Sequence, residues 1–283
     1  MSRITYVNGR YLPHARANVH IEDRGYQFSD GVYEVIAICN GKYIDFDRHL
    51  KRLWRSLAAL DIDKPMSKSA FHQVLANVVR LNRIRDGMAY IQVTRGVAKR
   101  EHTYKSDTMP SLVITAGRGL WKTDMIAKDG AKVITYPEQR WARRDIKSVS
   151  LLANVLAAQA AKNAGAMEAW LLEPDGTVTE GTSSTAWIVT QKGTVVTRPF
   201  SQNILPGVTR IAVENLMTRQ GLRLEERTFH ISEVARAREA FMTSATKFVM
   251  PVIRVDDTVI GDGKPGQTAI ALRQLYVDMM RAA

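Results

Sequence analysis

The stretch RRDIKSVSLL, residues 143–152, sets a single lysine, Lys147, between a charged loop and an apolar-periodic segment. A lysine ahead of a helix is ordinarily a solvated surface cation. Here the following segment, from Ser150 to about Asn163, reads as a helix stopped by Gly165, and its apolar face predicts a lysine stem that points into the protein. Desolvation and the neighbouring Arg140, Arg143 and Arg144 would both favour the neutral amine. Such an amine is a nucleophile that forms Schiff bases with carbonyl compounds.

Upstream of this stretch the pattern is β-structure and then helices. ITYVNGRYLP and VYEVIAICNGKYIDF are apolar alternations around Asn8-Gly9 and Asn40-Gly41, each a hairpin signal. DRHLKRLWRSLAAL follows with Asp47 as its expected N-cap and Leu50, Leu53, Trp54, Leu57 and Ala58 on one face. SKSAFHQVLANVVRLN repeats the helical spacing behind Ser67, and the strands MAYIQVTRG and SLVITAG close a unit of two helices on a sheet. These readings place an N-terminal α+β domain at 1–118, a linker at 119–124 in GRGLWKTDMIAKDG, and a C-terminal α+β domain at 125–283 that carries Lys147. In the latter, AKVITY reads as a strand, and MEAWLLEPDGTVTE and STAWIVTQKGTVVTRP as hairpins. TRIAVENLMTRQG and TAIALRQLYVDMMRA read as helices on either side of the strand AFMTSA.

With 45% apolar residues in 283, the chain can fill a sizeable core. No apolar run is long enough to span a bilayer, and MSRITYVNGR lacks a signal peptide's apolar region, so a cytoplasmic location is expected. Cys39, the single cysteine, lies in an apolar run and reads as a buried, inert thiol. The net charge of +12 favours anionic partners. Of nucleic acid, a membrane surface and small acidic metabolites, the first is argued against by dispersed basic residues, 7% aromatics and the lack of a zinc-finger or RNP-like segment. The six histidines show no H-E-x-x-H or similar spacing, so no catalytic metal is expected. Ser183 and Ser184 lack a G-x-S-x-G elbow, which argues against a serine hydrolase.

EDRGYQFSDGVYEV, DRHLKRL, QVTRGVAKREH, RWARRDIKS, VTEGTSS and ILPGVTR occur here in the order and spacing seen in fold-type IV pyridoxal-phosphate enzymes. Within that class IV aminotransferase family the sequence most resembles the D-amino-acid aminotransferases, from about residue 3 to residue 270. The resemblance implies a two-domain α+β fold with pyridoxal 5'-phosphate at the domain interface. It makes Lys147 the catalytic, Schiff-base lysine and Glu180 the carboxylate facing the pyridine nitrogen, which it keeps protonated so that the ring accepts electrons. It implies that Arg52 meets the cofactor phosphate, that Leu205 packs on the ring and that Arg140 approaches the phenolic oxygen. Ser183 and Ser184 belong to the same implied cofactor site. The phosphate dianion also needs directed N–H donors, which two loop junctions supply: Gly207, Val208 and Thr209 at a helix start, and Ser244 with Ala245 at a strand end. The family often has threonine at Ala245, so the backbone must serve there.

On the substrate side, Arg100 and His102 stand two apart on an extended loop and so point the same way. An arginine grips a carboxylate bidentately and a histidine adds a hydrogen bond. The resemblance makes this pair, with Tyr33, a trap for the α-carboxylate that is reached from the neighbouring subunit of a homodimer, and adds Val35 as a further substrate-binding residue. The implied reaction is ping-pong transfer of an amino group from a D-alanine-like amino acid to 2-oxoglutarate. Branched-chain aminotransferases, (R)-selective amine transaminases and aminodeoxychorismate lyases share the scaffold and remain alternatives. Two departures are visible: Ala37 where the family often has lysine, which predicts tolerance of bulkier or less acidic substrates, and Lys247, whose part the sequence leaves unexplained.

Overall fold

In a computed structural model, residues 3–282 are described. The chain divides into two compact units, Met1–Trp121 with Ile146–Ser150, and Lys122–Asp145 with Leu151–Ala283. The first unit is a six-stranded sheet under helices. β1 (Ile4–Val7) and β2 (Arg10–Pro13) form the first hairpin, a short α1 (Arg24–Phe28) follows, and β3 (Gly31–Cys39) turns into β4 (Lys42–Tyr43). Next come α2 (Phe46–Ala58), α3 (Lys68–Leu81), β5 (Gly87–Thr94) and β6 (Ser111–Arg118). The strand order is β2-β1-β6-β5-β3-β4, antiparallel throughout.

Both hairpin turns sit where Asn-Gly was expected, with positive φ at Asn8, Gly9, Asn40 and Gly41. Ser67 caps α3, its side chain accepting from the Ala70 N–H as anticipated. α2 differs: its N-cap is Asp45, in the left-handed region, while Asp47 lies in the first turn and pairs with Lys68. One sheet face and the two longer helices enclose Val32, Ile36, Ile38, Leu53, Leu57, Phe71, Leu75 and Val78. Ile146 fills the same core, and this explains a further difference. Lys147 was read with the C-terminal part, yet its short segment joins β3 of the first unit through the Tyr33 N–H to Lys147 C=O and Val149 N–H to Gly31 C=O bonds.

The second unit runs α4 (Asp124–Asp129), β7 (Ala131–Pro137), α5 (Leu152–Asn163), β8 (Glu168–Leu172), β9 (Val178–Gly181), β10 (Thr185–Val189) and β11 (Val195–Thr197). It continues through α6 (Val208–Arg219), β12 (Leu224–Glu226), α7 (Ile231–Val234), β13 (Glu239–Ser244), β14 (Phe248–Val255), β15 (Thr258–Val259) and α8 (Gln267–Ala282). Its sheet is ordered β12-β11-β10-β13-β14-β7-β8-β9, with β15 beside β14 and parallel pairs at β11–β12, β14–β7 and β7–β8. α4 starts at Asp124, the last residue of the expected 119–124 linker. Three strands of this unit are absent from the sequence reading, β12, β14 and β15; β14 lies mid-sheet although it contains Pro251. Its pairing with β7 shifts register between Val252 and Arg254, a bulge that accommodates the irregularity. The core of this unit gathers Trp170, Val178, Ile188, Phe229, Met242, Met250 and Val252.

Candidate active site

In the first unit the site-bearing strand is β3. Period 2 puts Tyr33, Val35 and Ala37 on one face and Glu34 on the other, with the helices. Tyr33 stacks on Tyr90 at 5.8 Å, and the Tyr90 hydroxyl donates to Gln92. Burial first, and then the neighbouring Tyr33, push the Tyr90 phenol up to about 12, so it stays a neutral donor. The Lys147 N–H donates to Ser56 on α2 and its C=O accepts from Tyr33, which fixes its backbone from two sides. Its Nζ lies 4.1 Å from the centre of the Tyr33 ring. Among the described residues no carboxylate pairs with that amine.

On the opposite face Glu34 is buried against two residues of α2. Arg52 Nε donates to Oε1 at 2.6 Å and a terminal Arg52 nitrogen to Oε2 at 2.8 Å, while His49 Nδ1 lies 2.7 Å from Oε2. Burial alone would raise the Glu34 pKa, but Arg52 and His49 together hold it far below the usual carboxylate range. Arg52, read as a phosphate cation, is therefore oriented by an acid that the sequence reading passed over. The signal was available: a glutamate at a core position of an alternating strand demands a cation, and α2 offers His49 and Arg52 at i and i+3.

Arg100 and His102 are exposed on the loop after β5 and share one neighbour. The Arg100 guanidinium lies 5.2 Å and the His102 ring 5.7 Å from Phe28. Buried Arg24, paired with Asp30, donates to the carbonyls of Glu101 and Thr103 and so pins the loop between the two. Farther along, Tyr104 stacks under Arg95 at 3.5 Å.

In the second unit, Glu180 ends up buried on β9. It accepts from Arg140 at 2.6 Å and from the Leu205 N–H at 3.1 and 3.2 Å. Burial outweighs both donors and leaves its pKa raised. Arg140 is spanned by two acids, Glu180 and Glu138, the latter lowered through its bonds to Arg140 and Thr179 despite burial. Arg140, Arg143 and Arg144, expected to favour a neutral neighbouring amine, each have acids of their own: Glu138 and Glu180 for Arg140, Asp145 for Arg143, Glu173 for Arg144.

Gly207, Val208 and Thr209 begin α6, and no side chain caps that end. Its first N–H groups, which have no acceptor within the helix, are thus available to an anion. Gly207 also approaches closely: a Cβ there would come 3.0 Å from Thr185 Oγ1. Ser244 and Ala245 sit at the end of β13, where Ser244 Oγ accepts from the Lys247 N–H. Ser184 is buried against Met242. Ser183 donates both its N–H and its hydroxyl to Glu168.

The fold, with a lysine held on the first unit and a buried glutamate and an uncapped helix start in the second, is that of an aminotransferase-like protein. The family model "Amino-transferase class IV" matches residues 31–255, and the chain belongs to that family. A D-alanine aminotransferase of Bacillus licheniformis is 42% identical over 259 residues, 92% of this chain and 90% of the relative. One from Listeria monocytogenes is 35% identical over 279 residues, 98% of this chain and 96% of the relative. Among solved structures, the branched-chain amino acid aminotransferase of Escherichia coli superposes with a TM-score of 0.90 at 20% identity, covering 100% of this chain and 95% of that one. A hypothetical aminotransferase from Mycobacterium tuberculosis in PLP-bound form gives 0.84 at 19% identity, covering 98% of each chain. At such identities these two show the shared fold.

Proposed function

We propose that the protein is a pyridoxal 5'-phosphate-dependent D-amino-acid transaminase that moves the amino group of a D-alanine-like donor to 2-oxoglutarate. The observation that carries the choice among family activities is the Arg100 and His102 pair held around Phe28 on a loop pinned by Arg24. It agrees with the activity named for the Bacillus and Listeria relatives. Three features fit the cofactor: an amine without a carboxylate partner at Lys147, a buried Glu180 that its donors leave under-compensated, and an uncapped start of α6. When bound, the cofactor supplies a carbonyl for amines and a ring that accepts the electron pair of the substrate Cα–H bond.

In this reading Lys147 Nζ would hold the cofactor through its carbonyl and would serve as general base and acid for the substrate Cα proton. Glu180 holds a proton on the ring nitrogen, and Arg140 with the Leu205 N–H fixes that carboxylate in place. Leu205 would pack against the ring. The N–H groups of Val208 and Thr209, with Gly207 allowing close approach, bind the phosphate together with Ser184, Ser244, Ala245 and Arg52. Tyr33, Val35, Arg100 and His102 receive the substrate, the last two in the site of a homodimer partner. Catalysis then alternates two half-reactions with ping-pong kinetics. A cytoplasmic location remains part of this proposal; among the described residues no helix is long and apolar enough to cross a membrane.

The test is a transamination assay with D-alanine, L-leucine and (R)-1-phenylethylamine, each against 2-oxoglutarate. D-alanine is expected to react fastest; a lead for L-leucine or the amine would overturn the carboxylate-trap reading while leaving the family intact. With Ala37 buried beside Tyr33 and Val35, larger D-amino acids should also react, and a panel in which D-aspartate and D-glutamate alone did so would refute that expectation.

A further inference from the structure

Lys247 and Glu168 form an ion pair in the second unit that the reaction outlined above does not use. The Glu168 carboxylate, at the start of β8, is wholly buried. Its Oε1 accepts from Thr182 Oγ1 at 2.9 Å, from the Ser183 N–H at 2.5 Å and from Ser183 Oγ at 3.1 Å. Its Oε2 accepts from Lys247 Nζ, which also donates to Ser183 Oγ at 2.8 Å. The Lys247 backbone N–H donates to Ser244 Oγ at 3.1 Å. One acid and one ammonium therefore tie the beginning of β8, the β9–β10 connection and the turn after β13 into a single knot.

Two of those three segments carry Ser184, Ser244 and Ala245, assigned above to the cofactor phosphate. We propose that Lys247 is a positioning residue for that phosphate: it cancels the buried charge of Glu168 and locks the 182–184 connection against the 244–247 turn. The inference rests on the reading of the protein as a pyridoxal-phosphate enzyme. Its physical basis is charge balance. Glu168 must be ionised to accept so many donors, and burial opposes ionisation, but Lys247 prevails and keeps its pKa below the ordinary value. Without Lys247 the same carboxylate would be an uncompensated anion beside the seat of a dianion. The charged group facing Glu168 is Lys247; the β9–β10 connection presents hydroxyls and an amide.

The experiment follows release of pyridoxal phosphate from the holoenzyme on dialysis, by visible absorbance, across pH for four proteins. Relative to wild type, Lys247→Met should hold the cofactor about tenfold to a hundredfold less tightly, the loss deepening as pH rises and Glu168 ionises. Lys247→Arg should retain it. The double variant Lys247→Met with Glu168→Gln should recover most of the affinity, because the buried charge is gone, and it also controls for misfolding of the single variant. A loss that is flat with pH, or one that Glu168→Gln does not relieve, would assign Lys247 to packing and overturn the inference. So would unchanged retention in Lys247→Met while wild type holds the cofactor. Wild-type protein that takes up no pyridoxal phosphate would instead sink the functional reading underneath it.

Discussion

Glu34 shows how far a single buried charge reaches. It occupies a core position of β3 where an apolar residue would satisfy the alternation, and it persists there because Arg52 and His49 surround it. Replacing it with glutamine leaves the Arg52 guanidinium buried with its partner's charge removed, and breaking such a pair costs about 3–5 kcal/mol. Because the folded-state pKa of Glu34 is depressed, its contribution to stability is complete above the ordinary carboxylate value of 4.5 and drains away as pH falls below it. Urea denaturation of wild type and Glu34→Gln should therefore differ widely at neutral pH and converge under acid. A gap that stayed constant into acid would mean that packing, and not the ion pair, sets the difference. Lys247 makes a similar point: its role was opaque in the sequence because its partner, Glu168, is 79 residues away and buried, and no local pattern joins the two.

At the scale of elements, what periodicity and turn chemistry express was legible. Both Asn-Gly hairpins, the Ser67 cap of α3 and the helix after Lys147 all stand where expected, since each depends on residues within one turn or one strand of each other. β14 was not legible, because a proline argues against a central strand and only its neighbours β13 and β7 override that. Nor was the return of Ile146–Ser150 to the sheet of the first unit, which follows from the exchange of backbone bonds with Gly31 and Tyr33 across more than a hundred residues. The loop after β5 follows the same logic. Its Arg100 and His102 were visible as a motif, but the device that holds them, Arg24 reaching to two loop carbonyls, is purely tertiary. Arg24→Ala should free this loop while Arg95 still pairs with Asp30. Steady-state kinetics with D-alanine should then show KM raised roughly tenfold with kcat changed much less, the signature of lost substrate binding rather than lost chemistry. An equal fall in kcat would place Arg24 in the chemical step instead.

At the scale of the whole molecule the open question is which chain supplies the carboxylate trap. The proposed homodimer places the loop of one subunit in the site of the other, and hybrid dimers decide it. One parent carries Lys147→Ala, the other Arg100→Ala with His102→Ala, and each alone should be nearly inactive. In a hybrid, a trap acting in trans would unite the intact Lys147 of the second parent with the intact loop of the first, giving one working site per dimer. Random reassortment in equal amounts makes half of the dimers hybrids, so activity should return to roughly a quarter of wild type. A trap acting in cis leaves both hybrid sites broken, one lacking its lysine and the other its loop, and mixing restores nothing. The outcome is independent of how tightly the trap binds, because both parents fail for local reasons and recover only through geometry. Recovery that appears after the parents are unfolded and refolded together, and not when the folded dimers are simply mixed, would further show that the shared site depends on subunit exchange.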